Sequence, residues 1–201
     1  MRSTFSNIAF FAVLSGVALL AGCGARVNSS TGNGTMVIEA RSRDDAARFA
    51  LVELHDRVRM LHDVYAAFGK LHNEARFRDA EADTGEQLAR LEHQLRTRGE
   101  PEPEAAAKAG RFADPAVQAD FNRLLAAGKE SSAAALRAAA HEEETHIALL
   151  RERRHETGEL DIQEACQRLE REARFRRFSF VAGLRILGLS DVAEVEAPAQ
   201  R

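Results

Sequence analysis

The chain is 201 residues long and carries 28 lysines and arginines against 31 aspartates and glutamates, a formal charge of −3. The two signs are interspersed, so no basic stripe marks a nucleic-acid partner. The chain beyond residue 22 is one domain's worth, long enough to bury a single sizeable core.

The first element is an address. Arg2 is followed by an apolar run from Ile8 to Leu20 and then Leu20-Ala21-Gly22-Cys23, a combination that resembles a bacterial lipoprotein signal. The run is too short to span a bilayer comfortably, and small residues before the cysteine suit processing. Cleavage would leave Cys23 first, its thiol and new amino group carrying fatty chains such as palmitate. Gly24, in place of an aspartate after the cysteine, resembles signals sorted to the periplasmic face of an outer membrane. Residues 1–22 are thus read as signal peptide and 23–41 as a flexible tether rich in Gly, Ser, Asn and Thr. Lipid on Cys23 would leave Cys166 without an intramolecular partner, most simply as a small buried apolar residue.

The folded part is expected over 42–189, followed by a disordered tail at 190–201. Ser42-Arg43-Asp44-Asp45 has the shape of a capping box, and a helical stripe follows at Leu51, Leu54, Val58, Leu61, Tyr65 and Phe68. His72-Asn73 is a stop, because asparagine tolerates the left-handed conformation. A second stripe runs through Phe77, Ala80, Thr84, Leu88, Leu91 and Leu95 to Gly99 and the prolines Pro101 and Pro103. A short helix opens with Pro115, carries Val117, Phe121, Leu124 and Leu125, and ends at Gly128. Ser131 or Ser132 caps the next, which carries Leu136, Ala140, Glu143, Ile147 and Leu150 and stops near Gly158. The last runs from about Asp161 through Ile162, Ala165, Cys166, Leu169 and Ala173 towards Leu187 and Gly188. Four long amphipathic helices with almost no strand signal predict an all-α, antiparallel four-helix bundle with a short bridging helix between helices two and three.

His141-Glu142-Glu143-Glu144-Thr145-His146 invites comparison with the zinc-protease pattern H-E-x-x-H, but its histidines are five apart and, at about 100° per residue, diverge by about 140°. Glu143 and His146 do have the Glu-x-x-His spacing used in di-iron bundles, which also need ligands from other helices. On their own they read as an interhelical hydrogen bond or a partly exposed acidic face ahead of a metal site. Glu152 and His155 repeat the spacing in an arginine-rich helix end and read as solvated. Gly128-Lys129 is no phosphate loop, since Glu130 follows it and Arg123 stands where a glycine is needed. His55 and His62 lie off the main stripe and read as surface residues. No Ser, His and Asp set with recognisable local context stands out, so no catalytic residue is assigned.

Asp63-Val64-Tyr65, then Gly110, Phe112, Asp114-Pro115, Gln118, Phe121, Leu124, Gly128, Ser131 and Ala135-Leu136, resemble the ferritin-like bundle family known as domain of unknown function 2202, over roughly Leu51 to Leu187. The family's M-R-E-E-E-K-L-A-R-D-V-Y pairs without gaps with Leu54 through Tyr65. The resemblance implies a ferritin-like bundle with a di-metal centre, and it also shows what this chain lacks. Arg57 and Val58 stand where the family has acidic residues, Thr84-Gly85-Glu86-Gln87 where it has Glu-x-x-His, and Arg174 where it has a histidine. Glu143-Glu144 keep the acidic pair. Val58 and Thr84 also fall on apolar stripes, as in an interior refilled with ordinary side chains.

The expectation is therefore a lipid-tethered bundle without cofactor. Buried carboxylates at Glu143 or Glu144 would be neutralised by Arg174 or Arg177. The alternative is an iron-handling protein or oxidoreductase using Glu143, Glu144 and His146. The expected partners are the membrane, through Cys23, and no nucleic acid. Self-association and the protein partner are left open, and the arginine-rich cluster of Arg151, Arg153 and Arg154 reads as a solvated helix end complementing the dipole.

Overall fold

Helix α1 runs from Asn33 to His72, because no proline or glycine interrupts residues 35–68. The computed structural model describes residues 33–99 and 108–189, with side chains from residue 46. The expected signal, Cys23 and the tail at 190–201 lie outside the described residues. Two expectations are corrected here: the tether is already helical from Asn33, and Ser42 to Asp45 lie inside the helix and do not open it. At the other end Asn73 adopts φ 50° and its N–H reaches the Gly69 carbonyl at 3.1 Å, the left-handed stop that its side chain tolerates.

Helix α2 follows at Ala75–Thr97, α3 at Pro115–Gly128, α4 at Ser132–Glu156 and α5 at Leu160–Ile186. Asp114 caps α3 by accepting the Ala116 N–H at 2.8 Å, with proline in the first turn. Of the two serines before α4, Ser131 is the cap, accepting from Ala134 N–H at 3.1 Å.

Cross-helix contacts give the topology. His55 faces Glu92 and Gly69 faces Phe77, so α1 and α2 are antiparallel. Glu170 meets Arg151 and Arg176 meets Glu143, so α4 and α5 are too. Glu53 with Arg153 and Tyr65 with Glu143 set α1 against α4, while Gln87 with Glu172 and Arg98 with Asp161 set α2 against α5. Because α2 and α4 then point the same way, the chain between them must travel back along the bundle. It does so through α3, which runs beside α1 in the same direction, with Asp120 at Arg57 and Gly128 under Phe68. The result is an antiparallel four-helix bundle with one crossover that contains the short bridging helix.

Two apolar clusters fill the bundle. One gathers Tyr65, Phe68, Phe77, Leu136 and Phe180, and the other Leu51, Leu54, Val58, Leu91, Leu150 and Cys166. Phe77 lies 5.3 Å from Phe68 and 5.4 Å from Phe180, ring centre to ring centre, in tilted packing. Neither cluster contains the buried polar residues Arg57, Thr84, Gln87, Glu142, Glu143, His146 and Arg176. In the antiparallel registers above, these come from matching heights on the four long helices, between the two clusters.

Candidate functional site

Glu143 is fully buried at the centre of this polar layer. Its Oε1 accepts the Tyr65 hydroxyl at 2.7 Å and Arg176 Nε at 2.5 Å, and its Oε2 accepts Arg176 Nη2 at 3.2 Å. Arg176 is itself only 2% exposed, so the carboxylate is matched by a guanidinium equally removed from water, which a charge in such surroundings requires. Burial lowers the readiness of Arg176 to hold its proton, but Glu143 more than offsets this, and the arginine stays charged. Burial and the Glu143 charge push the Tyr65 hydroxyl well above its ordinary range, so it remains a donor.

The expected partner Arg174 is not there. Its side chain is 57% exposed and donates to Glu170 at 2.6 Å, one turn earlier on the same helix. Residues 174 and 176 are two apart, about 200° on a helix, so only one of them can face the core. The buried neighbours Ala173 and Phe180 place Arg176 on that face. Glu144 is likewise outside the core, exposed, with Arg177 Nη2 3.6 Å from its Oε2.

The acidic residue that joins Glu143 inside is Glu142, which the sequence reading missed. It is 1% exposed, accepts from Arg57 Nη2, and accepts from Arg123 Nη2 at 3.0 Å. Arg57 also donates to Asp120 at 2.7 Å, so this one arginine ties α1 to both α3 and α4. A signal was present: Glu142 lies one turn before His146 on α4, but its cover is the crossover helix, whose position no local pattern reveals.

His146 is fully buried, and neither ring nitrogen has a hydrogen-bond partner among the described residues. Burial, then the charges of Arg176 and Arg57, hold its pKa well below the usual histidine value. It is therefore a neutral imidazole. Thr84 spends its hydroxyl on the Ala80 carbonyl at 2.7 Å, Gln87 donates to Glu172 at 2.8 Å, and Val58 packs in the lower apolar cluster. Gln87 Oε1, Arg57 Nε and Arg176 Nη1 are buried without hydrogen-bond partners among the described residues.

This donor set does not fit a di-metal centre. Both oxygens of Glu143 are engaged by Arg176, Glu144 points away, and Arg57, Val58, Thr84 and Gln87 supply neither carboxylate nor imidazole. Among the described residues no group of three or more His, Cys, Asp or Glu side chains is placed to hold one ion. The arrangement can fix charge and helix register.

His55, expected at the surface, is buried, with Nδ1 3.3 Å from Asp56 and Nε2 3.7 Å from Glu92, because α2 packs over that flank of α1. His62 stays part-exposed beside Asp63. Glu152 and His155 are exposed. The arginine-rich helix end is paired throughout: Arg153 with Glu53 at 2.6 Å, Arg151 with Glu170 at 2.8 Å and Arg154 with Glu170 at 3.2 Å. Cys166 is a free buried thiol, pushed up to about 11 by burial.

The residues most specific to the family resemblance are elsewhere, at the crossover. Asp63 accepts the Gly110 N–H at 2.7 Å, and Gln118 donates to the Gly110 carbonyl at 3.1 Å while accepting from Phe112 N–H at the same distance. Arg59 donates to the Arg111 carbonyl at 2.9 Å and lies 5.0 Å over the Phe112 ring. Gly110, at φ 75°, has the Phe121 ring where a Cβ would go. These residues latch the crossover onto α1.

Known proteins agree with this architecture. The chain is similar to the crystal structure of hypothetical protein MJ0754 from Methanococcus jannaschii DSM 2661, with a TM-score of 0.69 and 22% identity over 72% of this chain and 82% of that one. No curated protein matches. The family model described as "Uncharacterized protein domain (DUF2202)" matches residues 47–194, from the first described side chains of α1 past the end of α5. The chain belongs to the DUF2202 family.

Proposed function

We propose that this protein is a membrane-anchored periplasmic lipoprotein whose cargo, a ferritin-like bundle, works without a di-metal centre as a binding or structural module. The observation that carries the reading is the Glu143–Arg176–Tyr65 cluster, in which a guanidinium takes both oxygens of the core carboxylate that a metal would need. The single crossover between α2 and α4 is the connection used by ferritin-like bundles and supports that part of the reading. The anchor rests on Leu20-Ala21-Gly22-Cys23 alone. Full-length protein purified in detergent, equilibrated with ferrous iron and desalted is expected to retain far less than one equivalent. Near-stoichiometric retention sinks the metal-free reading. Labelled palmitate is expected to enter the wild type and not Cys23→Ala, and label in the variant would remove the anchor.

A second reading draws on His146, whose ring nitrogens, one turn from Glu143, lack partners among the described residues. In it the protein handles iron or another metal through Glu143 and His146, with Glu144 rotated inward. Glu143→Ala separates the two: lost metal with an intact fold favours this reading, and a large stability change without metal favours the first.

A further inference from the structure

Helix α5 exposes two phenylalanines that the bundle does not use. Phe175 is 69% and Phe178 65% exposed, and at about 100° per residue they stand about 60° apart on the outward face of the helix. Large apolar side chains paired in this way on a charged surface mark an interaction site. The two sides of this ridge differ in charge. Phe178 borders a groove of about 590 Å³ against α4, lined by Arg151, Arg174, Arg177 and Arg185 with Glu144 as its one carboxylate, which leaves it net basic. Phe175 borders a groove of about 240 Å³ against α2, lined by the carboxylates of Asp83, Glu86 and Glu172 together with Arg90 and Arg171, which leaves it net acidic. The registers Glu143–Arg176 and Gln87–Glu172 put both rims at the same height along α5.

We propose that this face binds a second copy of the chain, with the two α5 helices parallel about a dyad that runs along them. Such a dyad preserves height and exchanges sides, so each copy's α4 side meets the other's α2 side. Phe175 of one copy then packs against Phe178 of the other, flanked on each side by arginines opposite carboxylates. The other self-complementary arrangement, with the dyad across α5, places arginine rim on arginine rim and is opposed by charge. Charge thus selects the partner and its orientation, and the aromatic ridge supplies the desolvated centre.

The test uses the full chain in detergent, followed by sedimentation equilibrium over a concentration series. The wild type is expected to form a dimer, and Phe178→Asp or Phe175→Asp to weaken it by about tenfold or more. Arg174→Glu with Arg177→Glu should weaken it, as should Asp83→Arg with Glu86→Arg, whereas all four changes together should restore it, because both rims are then reversed in the same chain. Far-UV circular dichroism reports whether each variant stays helical. A chain that is monomeric throughout, a dimer indifferent to Phe178→Asp, or failure of the fourfold variant to recover overturns the proposal. So does a monomer that binds phosphatidylglycerol vesicles and loses them in Arg174→Glu with Arg177→Glu, which would assign the face to a membrane surface.

Discussion

Arg176 and Glu143 clasp one another between α5 and α4 at the level where the apolar core divides, and Tyr65 from α1 completes the contact on the same carboxylate oxygen. Three helices are thereby tied at one height by a group that tolerates no slippage, since a shift of one residue would leave a charge in the core without a partner. The pair specifies register more than it contributes stability. Replacing a buried ion pair by well-packed apolar residues is often neutral.

Arg176→Met should therefore destabilise the bundle by about 3–5 kcal/mol, since it leaves Glu143 buried with only a tyrosine hydroxyl. Adding Glu143→Leu to Arg176→Met should recover most of that loss. Urea unfolding followed by far-UV circular dichroism reads both. A double variant as unstable as the single one would mean that the charge pair is not the source of the penalty.

Acid should weaken the fold through His146. Its folded pKa lies well below 6.5, from burial and the neighbouring charges of Arg176 and Arg57, so below that pH the unfolded chain takes up the proton first. Stability is then full above the unfolded value of about 6.5 and falls as pH decreases, by up to about 1.4 kcal/mol per unit until the folded pKa is reached. His146→Leu should flatten urea midpoints between pH 7 and pH 5 relative to the wild type. Equal slopes in the two proteins would place the acid sensitivity in other groups.

Gly128 is needed for space. A Cβ there would overlap the Phe68 ring and stand 3.0 Å from the Ala135 Cα, at the point where its carbonyl also accepts His72 Nε2 at 2.8 Å. Gly128→Ala should cost about 1–3 kcal/mol by forcing α3 away from α1 and α4. A thermal midpoint equal to the wild type would show that the ring simply moves aside.

Cys166 should be inert in the native protein. Its thiol is buried and raised to about 11, so at pH 8 little thiolate forms and reagent has no access. Alkylation of the peptide containing Cys166, followed by mass spectrometry, should proceed only on adding denaturant. Rapid native labelling would mean that α5 opens locally at that level.

Helix ends were the most legible part of the fold. Ser131, one of the two serines offered as a cap, and Asn73 act through hydrogen bonds within a few residues, so their chemistry is complete in the local sequence. At the start of α1 the reading fell short, and the helix continued from Ser42 back to Asn33, through Gly34. The polar layer was legible only in part. Glu143 was singled out from its place on an apolar stripe, and the crossover residues Gly110, Phe112 and Gln118 from a family resemblance. The buried positions of Glu142 and His55 depend on α3 and α2 lying over them, a long-range fact with no periodic signature.

Sequence by itself determined that the chain forms long amphipathic helices, where they stop, and that a carboxylate on α4 would need a cation. Only the tertiary structure decided that the cation is Arg176 and not Arg174, that Glu142 shares the interior, and that His146 is buried with no hydrogen-bond partner among the described residues. The reason is geometric. Periodicity tells which residues share a face of one helix, but the partner across the core depends on how each helix is rotated and slid against its neighbours. About 200° of rotation separates two arginines only two positions apart in the sequence.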